Sequence, residues 1–331
     1  RQRDYRKPLR WFSIPQVFRY ERPQKGRLRE HYQFNCDILG EAADSADAEL
    51  IALAIDTLRA FGFGVDDVVV RVSDRRFWSD FLDQRGVPAG RRYAVMQAID
   101  KSEREPRAQT AGKLGALADD VFAVLDCGAP WPPVDELLAD LDGRGLGGFA
   151  RRDLSIVRGL AYYTGIVFEV FDRAGENRAL AAGGRYDDLL GSLCGVEMPA
   201  LGFGMGDVVL GNLIRASPQA AERMELAAAA TMAVDVAIVV ADEEHRGDAQ
   251  RLARGLRARG LDVTVPLAPA KVGRQFQAAE QAGAAFAVVA GSEWPLVGVK
   301  HLASREERQC DAGQAGELLA RWRIELSADD S

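Results

Sequence analysis

Cysteine and histidine are few and scattered. The four cysteines (Cys36, Cys127, Cys194 and Cys310) show no CxxC spacing. That argues against a disulfide framework or a cysteine zinc site, and it fits a reduced, cytoplasmic protein. The three histidines (His31, His245 and His301) lie too far apart to suggest a metal cluster, so no protein-built metal site is expected. No apolar run approaches the length of a membrane span, which leaves no membrane partner to expect, and no signal peptide is visible. Basic charge is not in excess either. Lys and Arg number 42 against 49 Asp and Glu, for a formal net charge of −7. This weighs weakly against nucleic-acid binding in general, but such binding depends on local basic patches and not on the sum. An initial methionine is missing too. The chain opens with Arg1 and enters at once what reads as the middle of a domain, so a truncated sequence is expected.

What is present is ordinary in bulk. The 331 residues are 47% hydrophobic and 27% charged, enough for two domains with a sizeable core. The stretch 11–41 organises the rest. Two apolar runs, 11–14 and 17–20, lead into a basic segment, 21–29, and a third run, 31–39, follows. Apolar/polar alternation over 33–39 and the Pro-Gln-Lys-Gly break predict two antiparallel strands joined by a cationic loop. Arg19, Arg22, Lys25, Arg27 and Arg29 fall within eleven positions. Arginine grips phosphate in a fork geometry, although charge by itself favours a solvated hairpin tip.

Further along, Leu50, Ile51, Ala54, Ile55, Leu58 and Phe61 have helical spacing, with Asp44 or Ser45 as N-cap and Gly62 beyond the end. Residues 68–72 read as a buried strand. Residues 73–148 are helical in pattern, with an exposed charged stretch at 101–115 and no evident catalytic constellation. Gly183 and Gly184 follow a strand at 166–171 and would let backbone pass close to a ligand. Three alternating glycines in Leu201-Gly-Phe-Gly-Met-Gly206 have the wrong spacing for a dinucleotide fingerprint. An Ala-rich stretch, 216–232, reads as a linker, in part helical. Strands then alternate with helices from 234 to 301, which predicts a parallel-rich α/β domain.

The order of residues in the hairpin says more than its charge. Phe-Arg-Tyr-Glu-Arg-Pro-Gln-Lys-Gly-Arg-Leu-Arg-Glu, followed by Gln33 and Asp37, closely resembles the second signature motif of histidyl-tRNA synthetases, which are class II aminoacyl-tRNA synthetases. Arg158-Gly-Leu-Ala-Tyr-Tyr-Thr-Gly resembles the motif peculiar to that family, with Ala161 in place of the usual aspartate, and Ala182-Gly-Gly-Arg-Tyr-Asp187 matches its next glycine-rich turn. The resemblance covers nearly the whole chain. It implies an α+β class II synthetase catalytic domain at 1–215, an antiparallel sheet with flanking helices that lacks its N-terminal part. It implies a helical insertion at about 73–148, a linker at 216–232, and an α/β anticodon-binding-type domain at 233–331. The insertion is similar to one held to contact the tRNA acceptor stem.

The implied reaction joins histidine and ATP, with bound Mg2+, to histidyl-adenylate and then transfers histidine to histidine tRNA. The implied full-length protein is a homodimer, and the present chain by itself is expected to be inactive. The implied catalytic residues are Arg19, on the α-phosphate and the histidine carboxylate, and Arg158, the second cation on the α-phosphate. Gln33 would bind the α-amino group, Asp37 and Tyr163 would read the imidazole, and Tyr162 would line the same pocket. Glu21 would meet the adenine amino group and Arg27 would hold the outer phosphates. His31 stands where the family commonly has a phenylalanine stacked on adenine. The third class II motif normally offers ATP an arginine, and Val209 holds that place here; Arg185 and Arg27 are the candidate substitutes. Two other readings stay open. One is a catalytically degenerate paralogue, such as a regulatory subunit of ATP phosphoribosyltransferase or an amino-acid sensor. The other is a non-enzymatic RNA-binding module.

Overall fold

The computed structural model describes residues 5–20, 22, 26, 28–158 and 162–329. The chain divides into two compact units, Arg1–Arg223 and Met224–Ser331, and two separate sheets run through it.

The first unit opens with β1 (Leu9–Ser13), β2 (Gln16–Phe18) and β3 (Glu30–Leu39). Phe18 of β2 faces Glu30 of β3 in an antiparallel ladder, the hairpin expected from the alternation. Helix α1 (Ser45–Ala60) buries Leu50, Ile51, Ile55 and Leu58, one stripe at helical spacing. Asp44 sits at its N-cap, but the side chain makes no capping bond. The chain leaves α1 through Gly62, whose φ of +99° suits glycine.

Strand β4 (Val68–Asp74) leads into α2 (Arg75–Gln84), α3 (Ala89–Asp100), α4 (Arg107–Leu114) and α5 (Ala118–Cys127). These helices close over a core of their own around Trp78, Phe81, Ile99, Leu114 and Val121. Thr110 and Leu114 are fully buried within the stretch expected to be exposed, because α4 must turn one face to that core. Helix α6 (Pro132–Gly143) packs elsewhere. Its Val134, Leu137 and Leu141 join α1 in the core on the sheet.

The unit is completed by β5 (Ala150–Arg152), β6 (Ile166–Asp172), β7 (Ala181–Arg185), α7 (Leu189–Cys194), β8 (Ala200–Gly206) and α8 (Asp207–Ala216). Helix α9 (Pro218–Met232) occupies the stretch read as a linker, and its run of alanines suits a helix. The strand order is β1-β3-β8-β7-β6-β4-β5, with β2 alongside β3. Among the described residues β4 and β5 run parallel and the other neighbours antiparallel. Cys36, Ile38, Val70, Val72, Phe168, Val170, Leu201 and Met205 give the sheet an apolar face covered by α1 and α6. The period of two along each strand sends the intervening side chains to the opposite face.

In the second unit the strands are β9 (Val236–Val240), β10 (Val263–Thr264), β11 (Phe286–Ala290), β12 (Leu296–His301) and β13 (Glu307–Asp311). The helices are α10 (Arg246–Ala258), α11 (Val272–Gln281) and α12 (Ala315–Asp329). The sheet order is β10-β9-β11-β12-β13. The first two pairings are parallel and the last two antiparallel, so the sheet is mixed and not parallel-rich. Strand β13 escaped the sequence pattern because its Glu-Arg-Gln-Cys-Asp carries almost no apolar alternation. Ala249, Ala253, Leu256, Leu319 and Trp322 cover one face, and Ala279 of α11 packs against Ala237 on the other. Buried Gln275 ties α11 to β9, accepting from the Val240 N–H at 2.8 Å and donating to the Val240 carbonyl at 2.8 Å. Among the described residues no helix is long and apolar enough to cross a membrane.

Candidate active site

The polar face of the first sheet carries a cavity of about 1190 Å3. Strand β3 builds its floor by simple alternation. Phe34, Cys36 and Ile38 point to the core, while His31, Gln33, Asn35 and Asp37 line the cavity. Strand β8 runs antiparallel beside it with Gly202 opposite Asp37 and Gly204 opposite Asn35. Those glycines have a steric reason. A methyl group on Gly202 would collide with the Asp37 carboxylate and sit 2.7 Å from the Tyr186 hydroxyl, and one on Gly204 would sit 2.5 Å from Gln33 Nε2. The bare strand leaves β3 side chains free to reach into the cavity.

Gly183 and Gly184 serve a different end from the one expected. A methyl group on Gly183 would meet Phe203 and Phe168 at 2.6 and 2.9 Å, and one on Gly184 would meet Val167 and Tyr163 at 2.9 and 3.0 Å. Protein, and not ligand, fills that space.

Asp37 accepts a short hydrogen bond from Tyr186 Oη. Burial, reinforced by this bond, raises the Tyr186 hydroxyl well above the usual phenol range, so it stays a donor. Tyr163 is buried, and its ring packs 4.6 Å from Tyr162 and 6.4 Å from Tyr186 by centroid. Burial, then the neighbouring Tyr163, raises the Tyr162 hydroxyl in the same way. Gln33 donates its side-chain amide to Asn35 Oδ1.

Arg158 borders the same cavity. Its backbone is left-handed, with φ +58°, and Arg75 Nη1 donates to its carbonyl at 3.3 Å. Its Nη1 donates to Glu169 at 2.6 Å, and its guanidinium lies 5.7 Å from the Tyr163 ring. Burial opposes the charge, but Tyr163 and Glu169 outweigh it and raise the guanidinium pKa. Arg158 Nε is buried with no partner among the described residues. Arg19, exposed, also lines the cavity, and its N–H donates to the Arg29 carbonyl at 2.7 Å.

His31 lines the cavity while 7% exposed, and both ring nitrogens lack a partner among the described residues. Glu21 and Arg27 lie outside the described residues. Arg185 does not serve as a substitute cation. It is 5% exposed, with its guanidinium held by Asp47, by the Glu41 carbonyl at 3.0 Å and by the Ala43 carbonyl at 3.2 Å. A fork with its donors already engaged has none to offer phosphate. Val209 both lines the cavity and belongs to the core, 7% exposed, and a methyl group on Gly26 of the hairpin loop would sit 3.4 Å from its Cγ2.

Several lining residues were not expected. Tyr186 stood inside a quoted motif without a role. Asn35 was open to discovery by the same alternation that exposed Gln33 and Asp37. Asp100, Glu103 and Arg104 come from the helical insertion, where no site was expected. No local pattern marks them, because only the fold brings that turn to the sheet.

Comparison with known proteins identifies the family. The family model for histidyl-tRNA synthetase matches residues 1–206, and an anticodon binding domain matches residues 235–322. A histidine–tRNA ligase of Opitutus terrae is 39% identical over 314 residues, 87% of this chain and 70% of the relative. A chloroplastic/mitochondrial histidine–tRNA ligase of Arabidopsis thaliana is 36% identical over 324 residues, 91% of this chain and 65% of the relative. A crystal structure of histidyl-tRNA synthetase from Nostoc sp. PCC 7120 shares the fold, with a TM-score of 0.66 at 23% identity over 97% of this chain and 79% of that one. The chain belongs to the histidyl-tRNA synthetase family.

Proposed function

We propose that the chain is a histidine–tRNA ligase whose cavity binds ATP and histidine side by side and joins them as histidyl-adenylate. The carrying observation is that one cavity holds both the Asp37 carboxylate, engaged by Tyr186, and the half-buried cation Arg158, whose Nε has no partner among the described residues. Ligand pockets usually run to roughly 300–1,000 Å3, and about 1190 Å3 leaves room for two substrates.

In this reading the Asp37 carboxylate accepts the imidazole N–H, while Tyr163 and Tyr162 wall the ring. Gln33 takes the α-amino group. A carboxylate oxygen of histidine attacks the α-phosphorus in line, the bond to the bridging oxygen breaks, and pyrophosphate leaves. Two anions must meet, and charge grows on the phosphoryl oxygens. Arg19 and Arg158, which both line the cavity, would meet that charge. Glu21, Arg27 and His31 are assigned to ATP. Mg2+ would come with the phosphates and keep much of its water.

The second unit would read the anticodon of histidine tRNA. The exposed Trp11 and Phe12 on edge strand β1 support a homodimer. The free cysteines suit a cytoplasmic setting.

Histidine-dependent ATP–pyrophosphate exchange by the full-length protein tests the proposal. Val209, in the place of an ATP-binding arginine, favours a degenerate paralogue as the second reading. Histidine binding by calorimetry with no exchange would select that reading.

A further inference from the structure

The sheet face under the cavity carries a chain of charges that runs into the helical insertion. Arg71 of β4 stands directly opposite Glu169 of β6, and Glu169 is the residue that holds Arg158. Arg71 itself turns the other way. Its Nε donates to Asp153 at 2.8 Å, its Nη1 to Glu103 at 3.0 Å, and its Nη2 to Glu103 and, at 2.8 Å, to Ser155 Oγ. Ser155 Oγ lies 2.7 Å from Asp153 Oδ1 and 3.1 Å from Glu103 Oε1. The Arg71 side chain is 11% exposed, and its pairing with Glu103 and Asp153 outweighs burial and raises its pKa.

Asp153 and Ser155 belong to the short segment 153–158 that delivers Arg158. Its other anchors include the Asp153 N–H to the Val72 carbonyl at 2.7 Å, Trp78 Nε1 to the Leu154 carbonyl at 2.8 Å, Arg75 Nη1 to the Arg158 carbonyl at 3.3 Å and the Arg151–Asp153 ion pair at 3.4 Å. Glu103 comes from the turn after α3, inside the insertion. We propose that Glu103 is a positioning residue for Arg158, acting through the Arg71 hub, so that displacement of the insertion is felt at the activation step. This rests on the histidine-activating reading of the cavity. The physical argument is competition. With Glu103 in place the Arg71 fork is committed to Asp153, Ser155 and Glu103. Without it, part of that fork is released beside Glu169, the partner Arg158 needs. Ser155 loses an acceptor in the same step, which loosens the segment from its other side. Arg158 sits in a left-handed backbone conformation that its surroundings must hold.

The experiment compares wild type, Glu103→Ala, Glu103→Gln, Arg71→Met and the Glu103→Ala/Arg71→Met double variant of the full-length protein in pyrophosphate exchange. Misplacing a reacting group by about 1 Å can cost roughly a hundredfold, so Glu103→Ala is expected to lose about ten- to a hundredfold in kcat. Its KM for histidine should stay within about twofold, because Asp37, Gln33 and Tyr186 are untouched. Glu103→Gln, which keeps a neutral acceptor, should lose less. The double variant should be no worse than Arg71→Met, since the competitor is gone. Hydrogen–deuterium exchange of residues 153–158 reads the same coupling without turnover and should rise in Glu103→Ala. Unchanged kcat, additive losses in the double variant, or unchanged exchange over 153–158 would each overturn the proposal. Absence of histidine-dependent turnover in wild type instead removes the activity reading, and the hydrogen-exchange result still decides the coupling.

Discussion

Tyr186 donates its hydroxyl to the Asp37 carboxylate across 149 positions of sequence. The bond fixes which oxygen of Asp37 remains for a ligand, and Gly202 leaves both side chains the space to meet. Asp37→Ala should therefore cost histidine affinity on the order of 1–3 kcal/mol, the penalty of leaving a buried imidazole N–H unpaired. Tyr186→Phe keeps the carboxylate but frees its orientation, and should lose less. Isothermal calorimetry with histidine measures both. Wild-type affinity in Asp37→Ala would place the imidazole elsewhere.

Arg158→Ala should lower kcat for adenylate formation far more than it raises KM for histidine, because the charge is needed where phosphoryl charge develops. Arg158→Lys should recover part of the charge but not the fork. Exchange kinetics at varied histidine decide the point, and a raised KM with unchanged kcat would make Arg158 a binding residue only.

Val209→Arg tests whether the missing arginine can be restored. Val209 is 7% exposed within the core shared with α1. A guanidinium buried there without a partner should cost about 3 kcal/mol or more. A lowered melting temperature with no gain in ATP affinity is expected. Tighter ATP binding at an unchanged melting temperature would show that the side chain reaches the cavity.

Stability should fall with rising pH in the acid range on account of Asp47. Burial pushes its carboxyl up from 3.8 to about 6, against the opposing hydrogen bond from Arg185. The folded state then holds the proton more tightly than the unfolded chain. Asp47's contribution is full below 3.8 and is lost as pH rises through about 6. Asp47→Asn should remove that slope. Urea denaturation of both proteins between about pH 4 and pH 7 measures it. A wild type that gains on the variant over this range would mean that the ion pair with Arg185 outweighs burial.

The sequence by itself determined what is local or periodic. The β2–β3 hairpin followed from alternation around a Pro/Gly break, and α1 from the spacing of its apolar residues. The order of residues in the hairpin and around Arg158 carried the family. Alternation along β3 also set Gln33 and Asp37 on one face, because side chains of a strand point alternately to its two sides. Tertiary structure decided the rest. Arg185 reads like a phosphate ligand in its glycine-rich turn, yet closure of β7 against the start of α1 buries it on Asp47. Gly183 and Gly202 look alike in the chain, but Gly183 yields its space to Phe203 and Gly202 yields its space to Asp37 and Tyr186. Glu103 gains a place beside the cavity only because α2 to α5 fold back onto the sheet. Sequence spacing reports which side chains share a face of one element. Which faces meet across a hundred residues is settled by burial of the whole core, and no single segment carries that information.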